Sequence, residues 1–202
     1  MGVRKISKPQ QSRAVQTEIR ILQAAVRVLI ENGYEGFSTN HVADVAGCNI
    51  GTVYRYFPDK NAIVVRIYQD WLDQITADNQ AYLEQMDQIS GPADLIEGIY
   101  RENLRNMKED DHRLAVELDK VLRLNKHVAD MDRAHDAGLI ALIQQYDPGA
   151  PPLVEIVEYW LDLALTLMVL VHLTPAEKRP FVIDQTAKTI RATVERYRAE
   201  LG

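Results

Sequence analysis

Cysteine is almost missing from this chain of 202 residues: Cys48 stands alone. One thiol cannot close an intrachain disulfide or build a cysteine-rich zinc site. With no second cysteine and no thiolate-stabilising group beside it in sequence, Cys48 reads as a small apolar turn residue. The scarcity fits a reducing compartment. Long hydrophobic runs are missing too. The longest uncharged stretch, Leu163 to Ala176, "LALTLMVLVHLTPA", is shorter than the roughly 20 residues a membrane-spanning helix needs. It reads as a helix buried in protein. The N-terminus, "MGVRKISKPQQSRAVQ", is basic but lacks the apolar core of a secretory signal. No membrane partner is expected, and the predicted location is cytoplasmic. No alternating strand pattern and no fixed-period repeat stands out. Nor does a phosphate-binding loop, a dinucleotide fingerprint or a Ser/His/Asp order, so no cofactor and no enzymatic activity is expected.

What the chain has is an ordinary globular balance, 47% apolar and 26% charged residues, distributed unevenly in charge. Met1 to Arg66 carries nine Lys/Arg against five Asp/Glu, a balance of +4, whereas Ile67 to Gly202 carries fourteen against twenty-four, a balance of −10. A basic amino-terminal third on an acidic body points to a local anionic partner.

The pattern is helical almost throughout, with about nine helices. Val15, Ile19, Leu22, Val26, Leu29 and Ile30 form a first stripe, ended by Asn32-Gly33. Ser38 caps a short second helix whose Val42, Ala43 and Ala46 face inward. Gly47 breaks it, and Asn49 caps a third helix from about Ile50 to Tyr56. Pro58 is placed at the first position of a fourth, bridging helix with Ile63, Ile67, Trp71 and Ile75. Gly91-Pro92 opens the next, a break is expected near Asn125, and "DPGAPP", Asp147 to Pro152, is a loop. Two last helices are predicted from about Leu153 to Leu173 and from Pro175 to about Glu200, with Thr174, Pro175 and Glu177 as the start signal.

The four residues "AGCN" hold the second and third helices at a steep angle, a helix-turn-helix arrangement. Gly47 supplies the positive φ that the turn requires, and Val42, Val53 and Phe57 close a small shared core. The outward face of the third helix carries Asn49, Gly51, Thr52, Tyr54, Arg55 and Tyr56, with Lys60 in the first turn of the fourth helix. Hydroxyls, backbone amides and isolated cations are the groups that hold a DNA phosphate. Arg4, Lys5, Lys8 and Arg13 read equally as an arm onto DNA and as a solvated tail.

"FSTNHVADVAGCNIGTVYRYFPDKNAIV", Phe37 to Val64, resembles the DNA-binding domain of the TetR (AcrR-like) family of one-component transcriptional regulators. The matching features are Ala43, Ala46-Gly47, Gly51-Thr52, Tyr54, Tyr56-Phe57 and Lys60, and the likeness covers roughly residues 14 to 66. The resemblance implies phosphate contact by Thr39 and DNA contacts by Thr52, Tyr54, Tyr56 and Lys60. Asn49, Ile50 and Arg55 fall on its variable positions, facing base edges or the backbone. Cys48 and Ile50 depart from the usual pattern, the first replacing valine and the second removing a charge from the groove side.

The expected organisation is a basic arm over 1–13, a helix-turn-helix domain over 14–60 with the bridging helix beginning at about 58, and a helical effector-binding and dimerisation domain over 61–202. Ile183, Ala187, Ile190, Val194 and Tyr197 make a stripe suited to pairing. The resemblance implies a homodimeric four-helix bundle, two helices from each subunit, on a pseudo-palindromic operator. Trp71, Tyr82, Tyr100, Asn103, Met107, His135, Trp160 and Thr166 are the candidates for a pocket that takes a small apolar or amphipathic effector. The expected function is a repressor released by that effector. Two competing readings stand beside it. One is a helix-bundle metalloenzyme using Glu109-x-x-His112 and Asp132-x-x-His135, with Glu155, Glu158 and Asp162 as further ligands. The other is a DNA-binding protein with no small-molecule effector.

Overall fold

The computed structural model describes residues 8–85, 90–146 and 154–201. Among these residues the fold is all-α, with nine helices and no strand. The chain divides into two compact units, one ending at Tyr68 and the other beginning at Gln69. The expected loop over 147–152, and Arg4 and Lys5 of the expected arm, lie outside the described residues.

In the first unit, α1 spans Lys8–Gly36, so the end of the expected arm is helical. Gly33 bends α1 with φ 69°, a region that glycine enters without the Cβ clash other residues meet. The buried face of α1 is Ile21, Leu22, Ala24, Ala25, Val28 and Leu29. Val15 and Ile19, expected in the apolar stripe, are 52% and 40% exposed. The shift follows from the two alanines, whose small side chains allow the close approach by which α1 packs on α2, Thr39–Ala46. Next, α3 spans Ile50–Tyr56 and packs on α2. Helix α4, Lys60–Glu84, contributes residues to both units. Pro58 lies before α4 rather than in it. Asp59 makes the start instead, its Oδ1 accepting from the Ala62 N–H at 2.8 Å, as a capping carboxylate does.

The second unit also contains α5 (Pro92–Arg105), α6 (Glu109–Leu124), α7 (Lys126–Tyr146), α8 (Val154–Leu173) and α9 (Arg179–Leu201). Glu109, Asp110 and Asp111 fill the first turn of α6, where the helix dipole favours negative charge. The break at Asn125 is made by its own side chain, whose Oδ1 accepts from the N–H groups of His127 and Val128 at 3.1 and 3.4 Å. The last helix starts later than expected. Pro175 accepts from the N–H of Lys178 at 2.9 Å, closing a turn. Thr174 Oγ1 donates back to the Leu170 carbonyl at 2.8 Å, finishing α8 rather than capping α9. Pro180 then sits in the first turn of α9, where a missing N–H leaves no bond unmade.

The core of this unit joins Leu95, Ile96, Tyr100 and Leu104 of α5 to Trp160, Ala164 and Val171 of α8 and Ala187, Ile190 and Val194 of α9. Ile183 and Tyr197 are partly buried against the same core. This corrects the expected dimer stripe: Ala187, Ile190 and Val194 are consumed within the chain, because α9 packs on α5 and α8. A second tie is ionic. Arg191 bonds Asp94, Glu97 and Glu195, and holds the Asp94 carboxyl below the usual carboxylate range by hydrogen bonding.

Candidate functional site

The turn between α2 and α3 is built from local chemistry. Ser38 Oγ accepts from the His41 N–H at 3.3 Å. Gly47 adopts φ 61° and ψ 43°, and its N–H closes α2 on the carbonyls of Ala43 and Asp44. Asn49 Oδ1 accepts from the Gly51 N–H at 2.7 Å, satisfying an amide that the short α3 would leave open. Val42, Ala43, Ala46, Val53 and Phe57 are buried, so the inward face is committed to packing. The outward face is what remains.

Two of the expected DNA-contacting residues meet there. Thr39, first residue of α2, and Tyr54 of α3 share a hydrogen bond, Oγ1 to Oη at 3.2 Å. Tyr54 is nevertheless 51% exposed, so its hydroxyl keeps capacity for an outside partner. Asn49, Gly51 and Arg55 are exposed, and Ile50, Thr52 and Tyr56 are half-buried. A Cβ on Gly51 would lie 3.3 Å from Asn49 Oδ1, so glycine there keeps both the cap and the low profile of the helix start. The Arg55 guanidinium lies 5.3 Å from the Tyr56 ring centroid, and the Lys60 ammonium lies 5.7 Å from that of Tyr34. Among the described residues neither cation pairs with a carboxylate. Each is steadied by an aromatic face and remains available to an anion. Tyr34 was not singled out in the sequence. Its signal is only its place at the bend of α1, and its contact with Lys60 depends on the fold.

The second unit holds a cleft between α5, α7 and α8, with about 510 Å³ of empty space counting its open mouth. Two of the eight expected pocket residues line it, Tyr100 and Asn103. The others are placed elsewhere. Trp160 is in the core, edge-on to Tyr197 with centroids 5.7 Å apart, and Met107 packs on that core. Tyr82 is half-buried against Gly98, where an added Cβ would come within 2.0 Å of its hydroxyl. Trp71 and His135 are half-buried, and Thr166 is exposed on α8. The cleft walls are Ile99, Leu139, Ile143, Leu161 and Met168 with their neighbours. Its acidic member, Asp136, was missed, although it stands three and seven residues before Leu139 and Ile143 on the same side of α7.

The carboxylate and histidine pairs behave differently from metal ligands. Glu109 accepts two hydrogen bonds from Arg179, at 2.6 and 3.0 Å. His112 is buried and meets His172 of α8, Nδ1 to Nδ1 at 2.9 Å. Burial, then the neighbouring His112 and Arg179, push the His172 pKa down from 6.5 to about 4. Among the described residues no group of three or more His, Cys, Asp or Glu side chains could hold a metal ion, and no helix is long and apolar enough to cross a membrane.

Comparison with known proteins adds four findings. Residues 21–67 match the family described as bacterial regulatory proteins, tetR family. The HTH-type transcriptional regulator CymR of Pseudomonas putida is 27% identical over 111 residues, 55% of this chain and 53% of that protein. A fatty acid metabolism regulator protein of Bacillus subtilis (strain 168) is 36% identical over 56 residues, 28% of this chain and 29% of that protein. The chain thus spans about half the length of the first curated relative and under a third of the second. Among solved structures, a transcriptional regulator of Rhodococcus sp. Rha1 superposes with a TM-score of 0.73 at 19% identity, covering 88% of this chain and 95% of that one. At that identity the likeness is one of fold.

Proposed function

The chain belongs, through its amino-terminal domain, to the tetR family of bacterial regulatory proteins, and from that premise we propose that it represses transcription as a homodimer on an operator with two-fold symmetry and is released by a small molecule. The observation that carries the DNA part is the outward face of α3. It carries the Thr39–Tyr54 hydroxyl pair and the exposed Asn49, Gly51 and Arg55, with Lys60 following at the start of α4, and among the described residues neither cation has a carboxylate partner. Thr39, Tyr54, Tyr56 and Lys60 hold phosphates. Thr52 stands with them, and Asn49, Ile50 and Arg55 meet base edges or the adjoining backbone. Such a division of labour is general in DNA recognition, where phosphate contacts position and base contacts specify.

The pairing surface is not the stripe on α9 that lies in the core. Tyr159, Thr166, Leu170 and Leu173 recur at i, i+7, i+11 and i+14 and form one outer face of α8. Tyr159, Leu170 and Leu173 are 54%, 50% and 65% exposed, and Phe181 at the start of α9 is 69% exposed. A second copy of the chain covers this face. The cleft in the second unit supports the effector, which acts by binding the DNA-free state better than the bound one. Such couplings are typically about 1–3 kcal/mol.

The test is a titration of the full chain against duplexes from the DNA flanking its own coding sequence. One fragment should bind selectively, protected over two half-sites about 34 Å apart. Uniform weak binding to every fragment would refute the reading.

A further inference from the structure

The polar groups of the cleft have one character. Asn103 Oδ1 is buried and has no hydrogen-bond partner. Tyr100, also in the lining, has committed its hydroxyl proton to Thr186 Oγ1 of α9 at 2.8 Å and offers the cleft no donor. Asp136 brings a carboxylate, about a quarter exposed, whose nearest basic neighbour is His135 at 3.9 Å. Among the described residues it pairs with no lysine or arginine. Among the described residues no lysine or arginine lines the cleft, whose remaining walls are aliphatic or thioether. The segment from Ile67 onward is acidic overall, with fourteen Lys/Arg against twenty-four Asp/Glu.

From this we infer that the cleft takes an apolar molecule carrying a protonated amine, an inference that rests on the effector reading above. An ammonium donates three hydrogen bonds and accepts none, which complements a carboxylate and a carbonyl-type acceptor. The aliphatic walls bury the carbon skeleton. A carboxylate ligand would meet Asp136 as a like charge with no cation in the lining to offset it. An alcohol would satisfy Asn103 but leave the Asp136 charge unanswered in a partly desolvated site. Charge-assisted hydrogen bonds are roughly twice as strong as neutral ones, so the amine is the head group that the cleft selects.

Calorimetric titration of the full chain with octylamine, octanol and octanoate, equal in skeleton and different in head group, tests this. Octylamine should bind at least about tenfold more tightly than octanol, and octanoate most weakly. Asp136→Asn should remove that advantage while leaving octanol affinity unchanged, and Asp136→Lys should reverse the order in favour of octanoate. The alcohol and helical content measured by circular dichroism report whether each variant keeps its fold. Equal or tighter binding of octanoate or octanol by the unaltered chain, or no binding of octylamine, overturns the inference. A parallel DNA titration separates the two readings. If octylamine binds but leaves DNA affinity unchanged, the ligand class stands and the effector role falls. If octanoate binds and releases DNA, the effector role stands and the ligand class falls.

Discussion

Acidification from neutral pH should weaken this protein, and the cause is the pair His112–His172. The two rings meet Nδ1 to Nδ1 at 2.9 Å in a buried site, which one proton can bridge but two cannot occupy. Arg179 lies on the same side and adds positive charge, Glu109 and Asp111 act the other way on His112, and Asp119 does so on His172. The outcome is a His172 pKa lowered from 6.5 to about 4, with His112 lowered as well. The sign follows directly. Above the unfolded value both states hold a neutral ring and the pair contributes its full stability. As pH falls below it, the unfolded chain takes up a proton that the folded chain refuses, so stability declines at up to about 1.4 kcal/mol per pH unit until His172 itself titrates. Between about pH 7 and about pH 5, His172 alone accounts for a loss of about 2 kcal/mol, and His112 adds to it. That window lies above the titration of Asp94, Glu97 and Asp184, whose carboxyls are held below their usual range. Urea unfolding followed by circular dichroism across this window reads the slope. His172→Leu should flatten it substantially even if it lowers stability at neutral pH. An unchanged slope in that variant, or a stability rising as pH falls from neutral, would refute the reasoning.

Two other perturbations have defined outcomes. Gly47→Ala places a Cβ at φ 61° and should destabilise the first unit by roughly 1–2 kcal/mol, read as a lower melting temperature with DNA affinity recovering on cooling. An unchanged melting temperature would mean that the turn is looser than described. Leu170→Glu together with Leu173→Glu charges the outer face of α8 without entering the core. Sedimentation equilibrium should show monomers that keep full helicity, and persistence of a dimer would move the pairing surface elsewhere.

How much of this was legible in the sequence depends on how local each signal is. Ser38, Gly47 and Asn49 act within a few residues of themselves, so the turn and both short helices were readable to the residue. Thr39 and Tyr54 were each readable as outward groups, but their hydrogen bond spans fifteen positions and needs the turn to be folded first. Periodicity gave the apolar faces but not their partners. Ala187, Ile190 and Val194 look the same in sequence whether a second subunit or α5 covers them. In α1, Ala24 and Ala25 are fully buried while the larger Val15 and Ile19 are not, because close helix approach rewards small side chains. The cleft was the least legible feature. Its lining comes from three helices spread over more than seventy positions, and bulky candidates such as Trp160 fill the core instead of facing a void. His112 and His172 are sixty positions apart, and neither carries a local mark of the other.

The account rests on α3 presenting its outer face to DNA, and the most direct test is the salt dependence of binding to the selected fragment. In the full chain, log K should fall linearly with log salt concentration, and replacing Arg55 and Lys60 together by alanine should reduce the magnitude of that slope by about two per subunit if each cation displaces one phosphate counterion. A doubly substituted chain that binds with the original slope and affinity would contradict it.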